Sequence, residues 1–205
     1  MARGDKGTKR RDHIIDEATR LFAERGYAGA SMADLAERVG LRKASLFHHF
    51  PSKEQLYAAV LERPIADVGV AIGRALEDTN RSFEDRLDDL SYAFVGVMGA
   101  QPYAARLFVR EVMQWSAGEA SPLSQAIDGV LAGATTFLEE GQRTGNAPAA
   151  DARQIIVSLI GLHLMPYTIP GVVERFTQAD PFSAAGLEQR RVAVRDQVRG
   201  MVLRR

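Results

Sequence analysis

Residues 31–53, S-M-A-D-L-A-E-R-V-G-L-R-K-A-S-L-F-H-H-F-P-S-K, restrict the fold more than any other stretch of the chain. Met32, Leu35, Ala36 and Val39 fall at i, i+3, i+4 and i+7 and so line one face of a helix. Ser31 precedes that face, where its hydroxyl can accept from a free N–H of the first turn. Gly40 follows the last periodic residue, and glycine tolerates the left-handed backbone that ends many helices. Leu46 and Phe50 make an i, i+4 pair on a second short helix. Pro51 closes it, because the residue before a proline is driven out of the α region. Ser52 to Gln55 has the spacing of a capping box and opens a third helix.

Two short helices joined by a tight turn with glycine make a helix-turn-helix pattern, whose second helix can enter a DNA major groove. Such a helix must show small, polar or basic groups outward. Arg42, Lys43, Ala44, Ser45, His48 and His49 surround the inward Leu46 and Phe50. The same pattern also suits a purely structural αα-hairpin. Residues 26–56, G-Y-A-G-A-S-M-A-D-L-A-E-R-V-G-L-R-K-A-S-L-F-H-H-F-P-S-K-E-Q-L, closely resemble the N-terminal domain of the TetR family of bacterial transcription regulators. The remainder resembles that family only in being helical and of suitable length.

The resemblance implies that Lys43, Ala44, Ser45 and Phe47 occupy the DNA-contact positions of the recognition helix, with His48 and His49 at its end. It makes Lys53 a phosphate-binding lysine at a helix start, where free N–H groups also favour an anion. Ser31 can offer its hydroxyl to a phosphate as well as cap. Arg42 can take a guanine edge or clamp a phosphate. Two positions depart from the family pattern: Phe47 replaces a tyrosine and Arg42 a serine. Phe47 cannot donate to a phosphate, though its ring could meet a thymine methyl.

Charge is distributed unevenly. The formal net charge is zero, yet residues 1–53 hold 11 Lys+Arg against 7 Asp+Glu, and all four lysines lie there. A modest basic end suits local phosphate contact. The chain has no cysteine, which excludes disulfides and thiolate metal sites and fits a cytoplasmic protein. No apolar run reaches the length of a membrane helix, and the N-terminal residues lack the apolar core of a signal peptide, so no membrane association is expected.

The expected architecture is all-α with about nine helices: a helix-turn-helix domain over 1–52, with a flexible basic arm at 1–8, and a larger helical effector-binding and dimerisation domain over 53–205. A first helix is expected from Lys9 to Arg25, ended by Gly26. A helix from Lys53 meets Pro64, which either ends it or opens the next over 65–77. Ser82, Pro102 and Ser121-Pro122 mark further starts, and a long helix runs from 122 to about Thr144. Asp151 caps an almost wholly apolar helix, which must be buried on several faces. Pro166 and Pro170 are expected to break it, and Asp180-Pro181 to start a last helix ending at Leu203.

The helices 122–144 and 151–168 share a short loop and carry small residues that permit close approach. By family resemblance they form the interface of a homodimer, with Gly129, Ala132, Gly133, Thr136, Ile155, Ser158 and Leu162 as candidates. A dimer implies two half-sites about one DNA turn or a multiple apart, hence a palindromic operator. The family bodies usually enclose a ligand pocket. Phe94, Met98, Tyr103, Phe108, Met113, Trp115, His163, Met165 and Tyr167 supply an apolar and aromatic wall with polar tips, either for a small apolar or aromatic effector or as plain core. No motif of a hydrolase, kinase, zinc protease, dinucleotide enzyme or di-iron bundle is present, and no cofactor or metal is expected. The alternative to a ligand-responsive repressor is a helical interaction protein or enzyme scaffold that binds no DNA.

Overall fold

The computed structural model describes residues 2–113 and 122–203. Ten helices and no strand occur among the described residues: α1 (Ala2–Gly29), α2 (Met32–Arg38), α3 (Lys43–His49), α4 (Lys53–Glu77), α5 (Phe83–Ala100), α6 (Ala104–Val112), α7 (Pro122–Arg143), α8 (Ala152–Thr168), α9 (Pro170–Thr177) and α10 (Ala184–Val202). The expected all-α class is what the chain adopts.

Helix starts follow local chemistry. Ser31, Ser52, Ser82, Asp151 and Ser183 sit in extended or near-extended backbone, and each side chain accepts from an N–H of the turn it caps. Four of these five starts are legible in the sequence. The last lies three residues later than expected. Asp180 and Pro181 form a turn in which Asp180 Oδ1 accepts from Phe182 N at 2.9 Å, and α10 begins only after Ser183.

Three other expectations are corrected. Residues 2–8, expected within a flexible arm, are instead the first turns of α1, which begins at Ala2; no proline stands before Gly26 to break it. Pro64 neither ends nor starts a helix. It lies inside α4 between buried Val60, Leu61 and Ile65, and their packing offsets the roughly 3 kcal/mol that an internal proline costs. Pro166 is likewise carried within α8, and the break falls at Ile169 before Pro170, where α9 turns away by 85°. Gly26 does interrupt α1 as expected, at φ 70°, ψ 169°, before a final turn to Gly29.

One apolar cluster joins α1, α2 and α3 to the first half of α4 through Ile14, Leu21, Phe22, Leu35, Leu46, Leu56, Val60 and Ile65. Leu107 of α6 and Leu123 of α7 belong to the same cluster, so the small N-terminal unit gains core from the body. A second cluster holds the far half of α4 with α5, α7, α8 and α10, through Ala75, Phe83, Val95, Phe137, Ile156, Val194 and Val198. Helix α4 therefore runs through both.

Polar pairs fasten the same layers. Arg86, almost wholly buried on α5, donates to Ala75 O at 2.8 Å and to Glu140 of α7 at 2.6 Å. Its cation also lies 5.4 Å from the Phe137 ring centre. Arg199 of α10 binds Asp88 and Glu84 of α5 at 2.5 and 2.6 Å. Among the described residues no single helix is long and apolar enough to cross a membrane.

Candidate nucleic-acid interface

The turn between α2 and α3 is built by Gly40 at φ 62°. Gly40 N donates to Glu37 O at 3.1 Å and Leu41 N to Ala36 O at 2.9 Å, the paired bonds of a Schellman ending. An L side chain is strained at that φ, which is why glycine stands there. Arg42 then takes extended backbone, and its carbonyl accepts from Ser45 N and Leu46 N at 2.9 and 3.1 Å to start α3.

Leu46 and Phe50 anchor α3 in the core at 0% and 3% exposure. With that face fixed, Arg42, Lys43, Ala44, Ser45, Phe47 and His48 are all exposed, and His49 is half-buried. The side chains of Arg42, Ser45 and His48 make no hydrogen bond or ion pair with the described residues. The Lys43 ammonium lies 5.8 Å from the centre of the Phe47 ring. The His48 and His49 rings are 6.1 Å apart at an interplanar angle of 67°, side by side rather than converging on one point. Ser31 is exposed at the start of α2, and its Oγ accepts from Asp34 N at 3.1 Å while its O–H stays available.

Lys53 is more tightly held than the sequence suggests. Its ammonium sits 4.4 Å from the Tyr27 ring centre, a cation–π distance. Tyr27 packs on Phe22 and Tyr57 and donates its hydroxyl to Glu54 at 3.0 Å. The Glu54 carboxyl lies below the usual carboxylate range, because its own backbone N–H, Ser52 and Tyr27 all hydrogen-bond the charged form. Glu54 thus puts negative charge on the same helix end, and Lys53 rather than the bare terminus supplies positive charge there.

Two members of this cluster escape the sequence reading. Arg10 reaches Val39 O at 3.5 Å and Arg11 lies 4.9 Å from the Phe50 ring centre, so two α1 arginines flank the helix pair. The basic triplet at 9–11 is the available signal, but nothing within it tells which element it faces. Arg38–Glu24 at 2.5 Å and Arg25–Asp34 at 2.8 Å tie α2 to α1. These are exposed pairs screened by solvent, and they fix orientation more than they add stability.

Residues 14–60 match the family described as bacterial regulatory proteins, tetR family. Its helix-turn-helix unit is that of the tetR family. The chain is 42% identical over 66 residues to the HTH-type transcriptional repressor AcnR of Corynebacterium glutamicum, 32% of this chain and 35% of that protein. It is 27% identical over 136 residues to the HTH-type transcriptional repressor DhaR of Mycobacterium sp. strain GP1, 66% of this chain and 69% of that protein. The matched stretch thus spans about a third of the length of AcnR. The fold is similar throughout to the TetR family regulator PfmR of Thermus thermophilus, with TM-score 0.72, 21% identity, and 93% of this chain and 99% of that chain covered. The tetR helix-turn-helix is therefore set on a tetR-like body.

The other predicted sites divide. Phe94, Met98 and Phe108 line an apolar cavity of about 110 Å³ between α4, α5, α6, α7 and α8. Phe94 and His163 line a second of about 150 Å³, and the two share Val68, Phe94, Val130, Leu131 and Ile160. Tyr167 is buried beside Met98, Ala105 and Phe182. Tyr103, Met113 and Met165 are corrected: at 41%, 81% and 55% exposure they sit on the surface, because α6 and α8 turn other faces to the core. Trp115 lies outside the described residues.

The expected dimer helices are also differently turned. A Cβ on Gly133 would meet Ile72 of α4 at 2.9 Å, so this glycine serves packing inside the subunit. Ile155 and Leu162 pack against the second core cluster. Gly129, Ala132 and Thr136 are exposed on α7, and Ser158 on α8. The larger exposed apolar side chains lie elsewhere: Val157 and Met165 on α8, Ile169 before α9, Val172 and Phe176 on α9, and Val192 and Met201 on α10.

Proposed function

We propose that this chain is a DNA-binding transcriptional repressor that works in the cytoplasm as a homodimer on a palindromic operator and is released by a small apolar effector. One observation carries the DNA part. The anchoring of α3 by Leu46 and Phe50 leaves Arg42, Lys43, Ala44, Ser45, Phe47 and His48 exposed together, with three of the polar side chains unused inside the protein. Repression follows AcnR and DhaR, which are repressors.

In this reading α3 lies in the major groove. Lys43, Ala44, Ser45 and Phe47 face base edges, while Arg42, Lys53, Ser31 and the α1 arginines hold phosphates. Phosphate contacts fix register and base contacts choose sequence. Residues 1–52 form the reading unit and 53–205 the sensing and pairing unit, with α4 shared.

The dimer is proposed to form through α8 and α10. Gln154, Val157, Ser158, Gly161 and Met165 follow one another at helical spacing on the exposed face of α8, and Gln189, Val192, Ala193, Asp196 and Gly200 on α10. Small residues on both rows allow close approach, and bulky apolar ones give area to bury. This assignment uses Ser158 but replaces the α7 residues with α10.

The two cavities are proposed as the effector site. Pro64, Ile65, Val68 and Ile72 of α4 line them, and α4 begins at Lys53 beside the recognition helix. A ligand that prefers a shifted α4 would move the reading heads apart, which needs only differential affinity for the two arrangements.

Selection from a random DNA pool tests the DNA reading. The expected outcome is a palindrome whose half-sites are centred about one helical turn, or a multiple, apart. An unpaired, non-repeating consensus would remove the dimer from the reading, and no enrichment by folded protein would remove DNA binding.

A further inference from the structure

Three polar side-chain atoms of α8 and α10 are buried without a hydrogen-bond partner: His163 Nε2, in the wall of the larger cavity, Tyr167 Oη, packed behind Met98 and Ala105 of the smaller one, and Arg190 Nε. Their side chains belong together. His163 and Tyr167 are i, i+4 on α8 and share a face. Arg190 of α10 reaches the same turn, donating from Nη2 to Leu162 O at 2.5 Å. His163 is 7% exposed and Tyr167 1%. A buried polar atom left unpaired is costly, and a cluster of three calls for an explanation.

The atoms define what would complete them. His163 Nδ1 lies 2.9 Å from Leu159 O, and a carbonyl only accepts, so Nδ1 carries the proton and Nε2 is a bare acceptor in the neutral ring. Burial holds His163 below its ordinary pKa, and Arg190 adds to this, so the ring is neutral near pH 7. Burial pushes Tyr167 up to about 12, so its hydroxyl keeps its proton and can donate. Arg190 Nε donates only, and Arg190 has no carboxylate partner among the described residues. The cluster is therefore two donors, one acceptor and an uncompensated positive charge.

The cavities supply the apolar part. His163 lines the larger one, and its ring lies 4.9 Å from that of Phe94, which lines both. Phe94 also packs in the cluster that holds Tyr167. It stands between the two cavities and against the His163 ring. The larger cavity matches the size of an apolar cavity known to take a benzene ring, about 150 Å³.

We propose that the effector is a carboxylic acid on an apolar body, its tail in the paired cavities and its carboxyl group on His163, Tyr167 and Arg190. This rests on the reading of the body as an effector site. The carboxylate accepts from Tyr167 Oη and Arg190 Nε. His163 takes one proton from solvent at Nε2 and donates it to the second oxygen. No bond other than this N–H forms or breaks. The charged groups that act on the His163–Tyr167 pair are Arg190 and, on Tyr167, Arg191, both on α10; α5 presents Phe94, and α4 and α7 present apolar side chains. An incoming carboxylate thus changes the field at His163 from purely positive to balanced, which is what makes the proton uptake favourable.

Calorimetry on the full chain at pH 7.5 tests this with decanoate, decan-1-ol and decyltrimethylammonium. Titrations in buffers of different ionisation enthalpy count protons. The expected result is decanoate binding about tenfold or more tighter than decan-1-ol, with up to one proton taken up for decanoate and none for the alcohol. His163→Leu should abolish the uptake. Arg190→Gln should cost decanoate about tenfold and leave decan-1-ol within about twofold. Tyr167→Phe guards against misfolding as an explanation. It removes a hydroxyl that bonds nothing in the free protein, so it should weaken decanoate while the free protein's Tm stays level or rises.

Equal affinity for the acid and the alcohol, or acid binding without proton uptake, would overturn the carboxyl assignment and leave the effector site standing. A lowered Tm for Tyr167→Phe with unchanged decanoate affinity would overturn it too, since the cluster would then serve the fold. Binding of none of the three probes would overturn both the assignment and the effector reading, and DNA selection would still decide the DNA reading separately.

Discussion

Single residues set both the geometry and its tolerance. Gly40 holds φ 62°, and a Cβ there would meet no atom within 4 Å, so the cost of a side chain is backbone strain alone. Gly40→Ala should lower stability by about 1–2 kcal/mol, read as a shift of the urea midpoint, and should loosen DNA binding by tilting α3. Unchanged stability would mean that the turn relaxes to another conformation. Glu140 is a second such residue. The Arg86 hydrogen bond, more than their charge attraction, holds its carboxyl below the ordinary value. A depressed carboxylate stabilises the fold fully above its unfolded pKa of about 4.3, and that contribution is lost as pH falls through the lower native value. Glu140→Gln should therefore cost about 2 kcal/mol near pH 7, and the Tm gap to wild type should close below about pH 4. A gap independent of pH would show that the Arg86–Ala75 bond, not the ion pair, holds these layers.

At the scale of elements, legibility depends on how local the signal is. The α2–turn–α3 unit is readable because capping serine, terminal glycine and apolar spacing act within a few residues, and all agree. The caps at Ser82 and Asp151 are readable for the same reason. Pro64 and Pro166 mislead because tertiary burial overrides a local breaker, and no pattern inside α4 or α8 announces it. Interface and pocket residues depend on which way each helix face turns. The nearly uniform apolar run of α8 conceals that: Ile156, His163 and Tyr167 point in, while Val157 and Met165 point out. An arginine on a helix is most often solvent-facing, and only the packing of α10 on α8 brings Arg190 to Leu162. The exposed row gives an element-scale prediction. Val157→Glu combined with Met165→Glu should turn a dimer into a monomer by sedimentation, with helix content unchanged. A dimer that survives both would move the interface to α7 or α9.

For the whole molecule, α4 is the part that makes one machine of two units. It carries Lys53 at one end, lines both cavities in the middle and enters the second core at Ala75. Packing of Val60, Leu61 and Ile65 around Pro64 keeps it continuous across the join despite the proline. In the proposed function this helix, which belongs to both cores, is what would link sensing to reading. That linkage matters only if α3 reads base sequence. The most direct measurement is the ratio of affinities for a selected operator and its scrambled copy at fixed salt, for wild type and Lys43→Ala. The account predicts a wild-type preference of about a thousandfold or more that falls sharply in Lys43→Ala. It predicts that Lys53→Ala weakens both duplexes alike, because phosphate contacts do not choose sequence. A wild-type ratio near one, or a ratio that Lys43→Ala leaves intact, would contradict the assignment of α3 as the reading helix.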